Sequence, residues 1–422
     1  MVQAYLGGSE PPIFPLGLGY IAASVKEHTL EVFDPNVSKN PFEEFTGILS
    51  RLVPDVVGIS IRNIDSTNKR RVVFYYDFIK ELICLVKNVQ GDQTKIIVGG
   101  SGFSMFPQQI MEDEPRIDFG VFLEGEETFR ELLHNLDRPE AVKGIYYRWN
   151  DEICFSGERA KPNVNTLPFA KRDGLSIRKY KEIPDAIGVE TKRGCELNCA
   201  YCIYGFLNGK KYRLRDPKRV VDEIEAMVKD FNVSDFMFVD SIFNVPPSHA
   251  ESICREMIRR ELQVSWSAWF HDAYITDEYV DLIKKAGCIK VMLSPDALSD
   301  EILLQLKKSQ RKQDILRTYR ILKQSDGMEI CYNFFKNPPG QSLKAFFNLL
   351  FFCIKAKYEL GKRIHFEFNS IRIEPHTRLY EMALREGLIH KNESLLYPKY
   401  YTNTATSYID TVFNALLRLK GA

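Results

Sequence analysis

Ile187-Gly188-Val189-Glu190-Thr191-Lys192-Arg193-Gly194-Cys195-Glu196-Leu197-Asn198-Cys199-Ala200-Tyr201-Cys202 carries a short apolar strand into three cysteines spaced C-x-x-x-C-x-x-C. Thiolates are the protein ligands of iron–sulfur clusters. Three of them leave one iron of a four-iron cube without a protein ligand. A loop this short lets Cys195, Cys199 and Cys202 converge on one cube. Structural zinc takes four ligands, often as two C-x-x-C pairs, and no second pair or nearby histidine completes such a set. A zinc site and three inert buried thiols are the competing readings.

Downstream of the cysteines, strands alternate with helices. IGVETK (187–192), DFMFVD (235–240), VSWSAWF (264–270), IKVMLS (289–294), EICYNFF (329–335) and HFEFNSIRI (365–373) read as strands. RVVDEIEAMVKDF (219–231), DEYVDLIKKAG (277–287), DILRTYRILKQS (314–325) and LKAFFNLLFFCIKAKYEL (343–360) have apolar residues at helical spacing between them. Six such units over 186–376 predict a partial (β/α)6 barrel of the TIM type, with its chemistry at the strand C-termini. Residues 377–422 read as a helical tail.

Upstream, VQAYL (2–6), EVFD (31–34), DVVGISI (55–61), KIIVGG (95–100) and FGVFLEG (119–125) read as strands alternating with helices. Five strand–helix units predict a doubly wound, Rossmann-like α/β domain over 1–136. Ligands of such sheets sit at strand carboxyl ends. Residues 137–185 lose helical periodicity and read as a linker, with GIYYRW (144–149) as a lone strand.

The bulk composition is that of a globular chain. Of 422 residues, 45% are hydrophobic and 27% charged, and 57 Lys+Arg against 56 Asp+Glu leave a net charge of +1. A nucleic-acid partner is not expected, because such binding needs a basic surface. No apolar run reaches a membrane span, and the start lacks the basic and apolar regions of a signal peptide. The expected location is the cytoplasm. The scattered cysteines Cys84, Cys154, Cys254, Cys288, Cys331 and Cys353 read as small buried hydrophobes.

The cysteine string resembles the signature of the radical S-adenosylmethionine superfamily. The resemblance implies a [4Fe–4S] cluster on Cys195, Cys199 and Cys202, whose open iron chelates S-adenosylmethionine. It implies cofactor contacts at Tyr201 for the adenine and at Asp240, Ser241 and Asn244 near the amino group. Ser294, in a segment that departs from the family's ribose-binding pattern, and Pro339 and Gly340 complete the implied set. Trp266, Trp269, Phe270, Tyr332, Phe334 and Phe335 are candidates to line a substrate pocket or, more simply, to be core.

The N-terminal region resembles the cobalamin-binding domain that precedes the barrel in one large subfamily. That resemblance implies cobalamin contacts at Ser60, Arg62, Asn63, Gly99, Gly100, Gly102, Glu124, Gly125 and Glu126. No D-x-H-x-x-G string supplies a histidine for cobalt. The loop at Arg62 and Asn63 is expected beneath the metal, so base-off cobalamin without a protein nitrogen ligand is expected. The activity implied is methyl transfer: a 5′-deoxyadenosyl radical abstracts hydrogen, and methylcobalamin gives its methyl to an unactivated carbon. Ring formation, contraction or coupling, a cobalamin-free N-terminal domain, and a non-enzymatic metal-binding scaffold are the alternatives. The implied partners are a small-molecule or peptide substrate and an external electron donor of the flavodoxin or ferredoxin type.

Overall fold

Val57, Ile59, Ile96, Ile97 and Val98 are at most 4% exposed, as expected of parallel strands covered by helices on both faces. They belong to β2 (Val56–Ser60) and β3 (Lys95–Gly99), which run parallel between β1 (Val2–Gln3) and β4 (Phe119–Val121) in the order β1, β2, β3, β4. The computed structural model describes residues 1–173, 175 and 177–419. It divides into two units, Met1–Ile187 and Gly188–Ala422.

In the first unit, the strand expected at 31–34 shrinks to a single parallel bridge from Val2 to Phe33. The Asp34 carboxylate accepts from Asn36 N and caps a 3-10 turn over Pro35–Val37, which ends the extended run. With that bridge counted, the order is Phe33, β1, β2, β3, β4. This is a doubly wound sheet whose order reverses between β1 and β2, where ligands of such sheets sit. The segment expected as a linker adds to the same sheet: β5 (Ile145–Trp149) and β6 (Glu152–Phe155) form an antiparallel hairpin on β4. GIYYRW is therefore paired on both sides rather than alone.

The second unit opens with β7 (Gly188–Val189) and a two-stranded ladder, β8 (Lys192–Arg193) against β9 (Arg213–Leu214). Then come β10 (Asp235–Phe238), β11 (Ser265–Phe270), β12 (Cys288–Asp296), β13 (Glu329–Phe335) and β14 (Ile364–Asn369). They form a parallel sheet in the order β14-β13-β12-β11-β10-β7, with β7 and β14 as its two edges. This is the expected open six-stranded barrel. Its helices begin where the sequence supplies caps. Asp216 accepts from Lys218 N ahead of helix Pro217–Phe231, Thr276 from Tyr279 N ahead of Asp277–Lys285, and Ser342 from Ala345 N ahead of Leu343–Leu360.

The last expected strand is split into β14 and β15 (Ile371–Arg372). The tail is not purely helical, because β16 (Tyr400–Tyr401) returns antiparallel to β15. Helices Arg378–Arg385 and Tyr408–Leu419 lie on either side of it, with turns and loop over residues 386–399. Cys254, Cys288, Cys331 and Cys353 are buried, and Cys84 and Cys154 are half-buried. No helix among the described residues is long and apolar enough to cross a membrane.

Candidate functional site

The cysteine loop is a closed structure before any metal is considered. The β8–β9 ladder fastens its two ends, and Cys195 N donates to Gly209 O at 2.9 Å. Gly194 has φ +90°, and a Cβ there would fall 2.1 Å from Lys211 O, so only glycine fits. Ala200 N donates to Leu306 O, and Ala200 O accepts from Leu379 N, each at 2.8 Å. The peptide between the second and third cysteines is thus gripped from two sides. Phe206, just beyond Cys202, stacks on the His376 ring at 4.1 Å.

The donor set suits a multi-iron cluster. One zinc ion holding thiolates at about 2.3 Å would draw their sulfurs to within about 3.8 Å of one another. Three thiolates on one short loop fit a four-iron cube that leaves one iron open, where structural zinc takes four ligands. Burial pushes the Cys202 thiol up to about 12 and lifts Cys199 above its usual value, against the pull of Lys308 on Cys199. Without metal both are protonated, and bound iron would take the place of those protons.

Asp240, at the carboxyl end of β10, is the anchor of the loop's entry. Its Oδ1 accepts from the backbone N–H of Thr191 at 2.8 Å and Lys192 at 3.2 Å. Its Oδ2 accepts from Lys192 Nζ at 3.1 Å and from the Thr191 hydroxyl. Lys192 Nζ also donates to Phe243 O at 2.9 Å. Asn244 is likewise turned inward: its amide brackets His271, accepting from His271 N at 2.7 Å and donating to His271 O at 3.0 Å. Ser241 beside them is half-buried.

Tyr201 leads to residues that the sequence did not single out. Its hydroxyl donates to Asp296 Oδ2 at 2.6 Å. Lys308 Nζ donates to the same oxygen at 2.7 Å and to Ser294 O at 2.8 Å. Asp296 closes a register shift between β12 and β13 and adopts φ +70°, a strained conformation for a residue with a Cβ. Burial alone would lower the Lys308 ammonium, but the Asp296 carboxylate outweighs it and holds the group above its ordinary value. Lysines are mostly exposed, so no local signal marks Lys308 as buried. Pro339 is buried and Gly340 half-buried. Gly340 has φ +76° and packs where a Cβ would meet Gln305 Nε2 at 2.7 Å.

The candidate pocket aromatics separate by strand parity. Trp266 and Phe270 join a ring cluster that reaches Tyr279 on helix Asp277–Lys285. Tyr332 and Phe334 meet Phe352 of helix Leu343–Leu360. These four are core on the helix-covered face. Trp269 and Phe335 alternate to the other face, where Phe335 packs edge-on against Tyr201 at 4.8 Å. Asn333 shares that face half-buried, and His365, Glu367 and Asn369 of β14 are exposed on it.

In the first unit, the ends of β2 and β3 are laced together. Ile61 N donates to Gly99 O at 2.7 Å, Gly102 N to Ile61 O at 2.8 Å and Ser101 Oγ to Arg62 O at 2.7 Å. This gathers Ser60, Arg62 and Asn63 with Gly99, Gly100 and Gly102. A Cβ on Gly100 would meet Ile61 O, and one on Gly102 would meet Ile61 Cγ2, each at 2.6 Å. These glycines admit the neighbouring loop of the chain itself. Arg62 is exposed and Asn63 half-buried. Leu123 N donates to Ser104 Oγ at 2.8 Å, tying in the end of β4, where Glu124 and Gly125 are half-buried and Glu126 buried. The crevice at the β1/β2 reversal is a fitting place for a large planar cofactor.

A doubly wound domain ahead of an open barrel with a three-cysteine loop defines an iron–sulfur enzyme class with a second, cofactor-binding module. Residues 3–133 match the B12 binding domain model, and residues 189–353 match the radical SAM superfamily model. The chain belongs to the cobalamin-dependent radical S-adenosylmethionine enzymes. It is 26% identical over 399 residues to an uncharacterized methyltransferase of Pyrococcus horikoshii, covering 92% of this chain and 82% of that one. The radical S-adenosylmethionine methyltransferase TsrM of Kitasatospora setae, solved with tryptophan substrate and a cofactor analogue, shares the fold. Its TM-score is 0.79 at 19% identity, over 91% of this chain and 75% of that one. The cobalamin-dependent S-adenosylmethionine radical enzyme OxsB also shares the fold, with a TM-score of 0.76 at 18% identity over 98% and 65%.

Proposed function

We propose that this enzyme is a methyltransferase that modifies a carbon atom of a small molecule. The observation that carries the reading is the joining of a B12 binding domain and a radical S-adenosylmethionine domain in one chain. The methyltransferase named among its relatives, alignable over most of both chains, points the same way. When bound, the cluster, S-adenosylmethionine and cobalamin supply a one-electron reductant, a radical source and a methyl carrier.

The chain's own residues do the rest. Cys195, Cys199 and Cys202 would hold the cluster and leave one iron open. Tyr201, fixed by Asp296 and Lys308, presents a ring beside the loop. Ser241, Ser294, Pro339 and Gly340 stand at strand carboxyl ends and are proposed to meet S-adenosylmethionine. Asp240 and Asn244 serve that site by holding its backbone. Trp269, Asn333 and Phe335 line the face proposed to take the substrate, with His365, Glu367 and Asn369 at its edge.

For cobalamin, Ser60, Arg62, Asn63, Gly99, Gly100, Gly102, Glu124, Gly125 and Glu126 frame the crevice. Arg62 stays protonated and has no lone pair to offer a metal, and Asn63 offers only a weak carbonyl oxygen. His28 and His134 follow helices that run back from β1 and β4, toward the amino ends of the strands. The proposed cobalamin is therefore base-off, with no nitrogen of the protein on cobalt. An electron donor of the flavodoxin or ferredoxin type and a reducing, cytoplasmic setting suit exposed-iron chemistry. The test is incubation of the reconstituted, cobalamin-loaded enzyme with a strong one-electron reductant, a metabolite extract and methyl-deuterated S-adenosylmethionine. A product heavier by a labelled methyl group, with S-adenosylhomocysteine, is expected. A product formed without the label would point to ring formation or coupling instead.

A further inference from the structure

Glu27, His28 and His134 come together at the amino end of the first sheet, away from the crevice at the strand carboxyl ends. Glu27 and His28 follow helix Leu16–Ser24, and Met1 N donates to Glu31 O nearby, which fixes this end. His134 is the C-cap of helix Glu126–Leu133. The two imidazole rings lie 5.2 Å apart, and His134 Nε2 is hydrogen-bonded to Glu27 Oε1 at 3.1 Å. One donor atom of each residue lies within 4.8 Å of the other two. Nε2 of His28 is shielded from solvent and has no hydrogen-bond partner.

The His134–Glu27 hydrogen bond accounts for that pair, but not for the His28 ring beside it. Two imidazoles side by side gain little from each other in water, and a buried ring nitrogen without a partner carries a desolvation cost. A metal ion shared by the three side chains accounts for their convergence. Donors each about 2.1 Å from a tetrahedral ion stand about 3.4 Å apart, close to the observed His134–Glu27 separation. Two helix carboxyl ends, each carrying a partial negative charge, also converge here and favour a cation. The Glu27 and His134 side chains are 41% and 54% exposed, which leaves an ion a path from solvent.

We propose that Glu27, His28 and His134 bind a divalent transition metal of the zinc class through two imidazoles and one carboxylate, with water in the remaining position. Neutral imidazole with carboxylate selects zinc and its neighbours over magnesium or calcium, which prefer all-oxygen shells. The role assigned is a clamp between the helices that follow β1 and β4, not a part in the radical chemistry.

The test is zinc titration by calorimetry on the full-length, cluster-loaded protein after mild chelation, so that Cys195, Cys199 and Cys202 do not compete. One equivalent binding with a Kd below about 100 µM, and a raised melting temperature at saturation, are expected from mass action. His28→Ala and His134→Ala should each weaken binding at least about tenfold, as loss of one of three ligands implies. Melting of the zinc-free variants checks that they still fold. Affinity weaker than that limit, or the same affinity in the His28→Ala/His134→Ala double variant, overturns the proposal.

Discussion

The Tyr201 hydroxyl and the Lys308 ammonium share one acceptor, Asp296 Oδ2, at 2.6 and 2.7 Å. The Lys308 and Asp296 side chains are 8% and 4% exposed, so each charge depends on the other. Removing one partner of a buried pair costs about 3–5 kcal/mol, because it strands the other charge. Lys308→Met should therefore destabilise the protein by about that amount in urea unfolding. Adding Asp296→Asn to it should cost far less than the sum of the single variants, and strictly additive costs would rule out the pairing.

The loop's closure rests on Gly194. Gly194→Ala places a Cβ against Lys211 O in a left-handed conformation. It should lose most of its iron after anaerobic reconstitution. Gly205→Ala is the control, since its nearest neighbour is the Lys210 side chain at 3.7 Å, and it should keep the wild-type iron content. Equal iron in both variants would mean that the loop relaxes around the added methyl.

Asp240→Asn separates anchoring from direct cofactor contact. The carboxylate is used by Thr191 and Lys192 on both oxygens. The variant should retain markedly less iron and melt at a lower temperature, because the ammonium of Lys192 loses its counter-charge. Full iron content with weakened S-adenosylmethionine binding would instead make Asp240 a cofactor ligand.

Asp272 sets a pH dependence. Burial pushes its carboxyl up to about 7, opposed by Lys308, and Gln310 Nε2 at 3.2 Å is its side-chain donor. The unfolded chain ionises this group near about 4. With the folded value raised, its contribution to stability is full below about pH 4 and is lost as pH rises through about 7. Asp272→Asn removes that loss. Its melting temperature relative to wild type should rise by a few degrees between pH 5 and pH 8, at about 2–4 °C per kcal/mol for a domain of this size. A constant difference across that range would show that Asp272 ionises normally.

The outline was legible because it rests on local pattern. Thiol spacing marked Cys195, Cys199 and Cys202, and apolar periodicity marked all six barrel strands. EVFD failed as a strand because Asp34 spends its side chain on capping a turn at Pro35, a competition that β propensity does not register. GIYYRW was legible as a strand, but its partner Glu152–Phe155 and its pairing with β4 were missed because strand pairing is a tertiary fact. Lys308, and its pairing with Asp296 in the segment that begins at Ser294, were invisible for a related reason. A lysine beside another lysine looks solvated until the fold supplies a carboxylate, and φ +70° at an aspartate has no sequence mark. Parity along the strands would have separated Trp269 and Phe335 from Trp266, Phe270, Tyr332 and Phe334, had the helix-covered face been known.

The central claim is that Cys195, Cys199 and Cys202 hold a cluster that cleaves S-adenosylmethionine. The most direct test is anaerobic reconstitution of the wild type and of the Cys195→Ala/Cys199→Ala/Cys202→Ala variant. Iron is counted, and the nucleoside products of added S-adenosylmethionine are measured with a strong reductant present. The account predicts about four irons and reductant-dependent cleavage for the wild type, as a thiolate-bound [4Fe–4S] cluster requires, and neither for the variant. A variant that keeps its iron and still cleaves S-adenosylmethionine would contradict it.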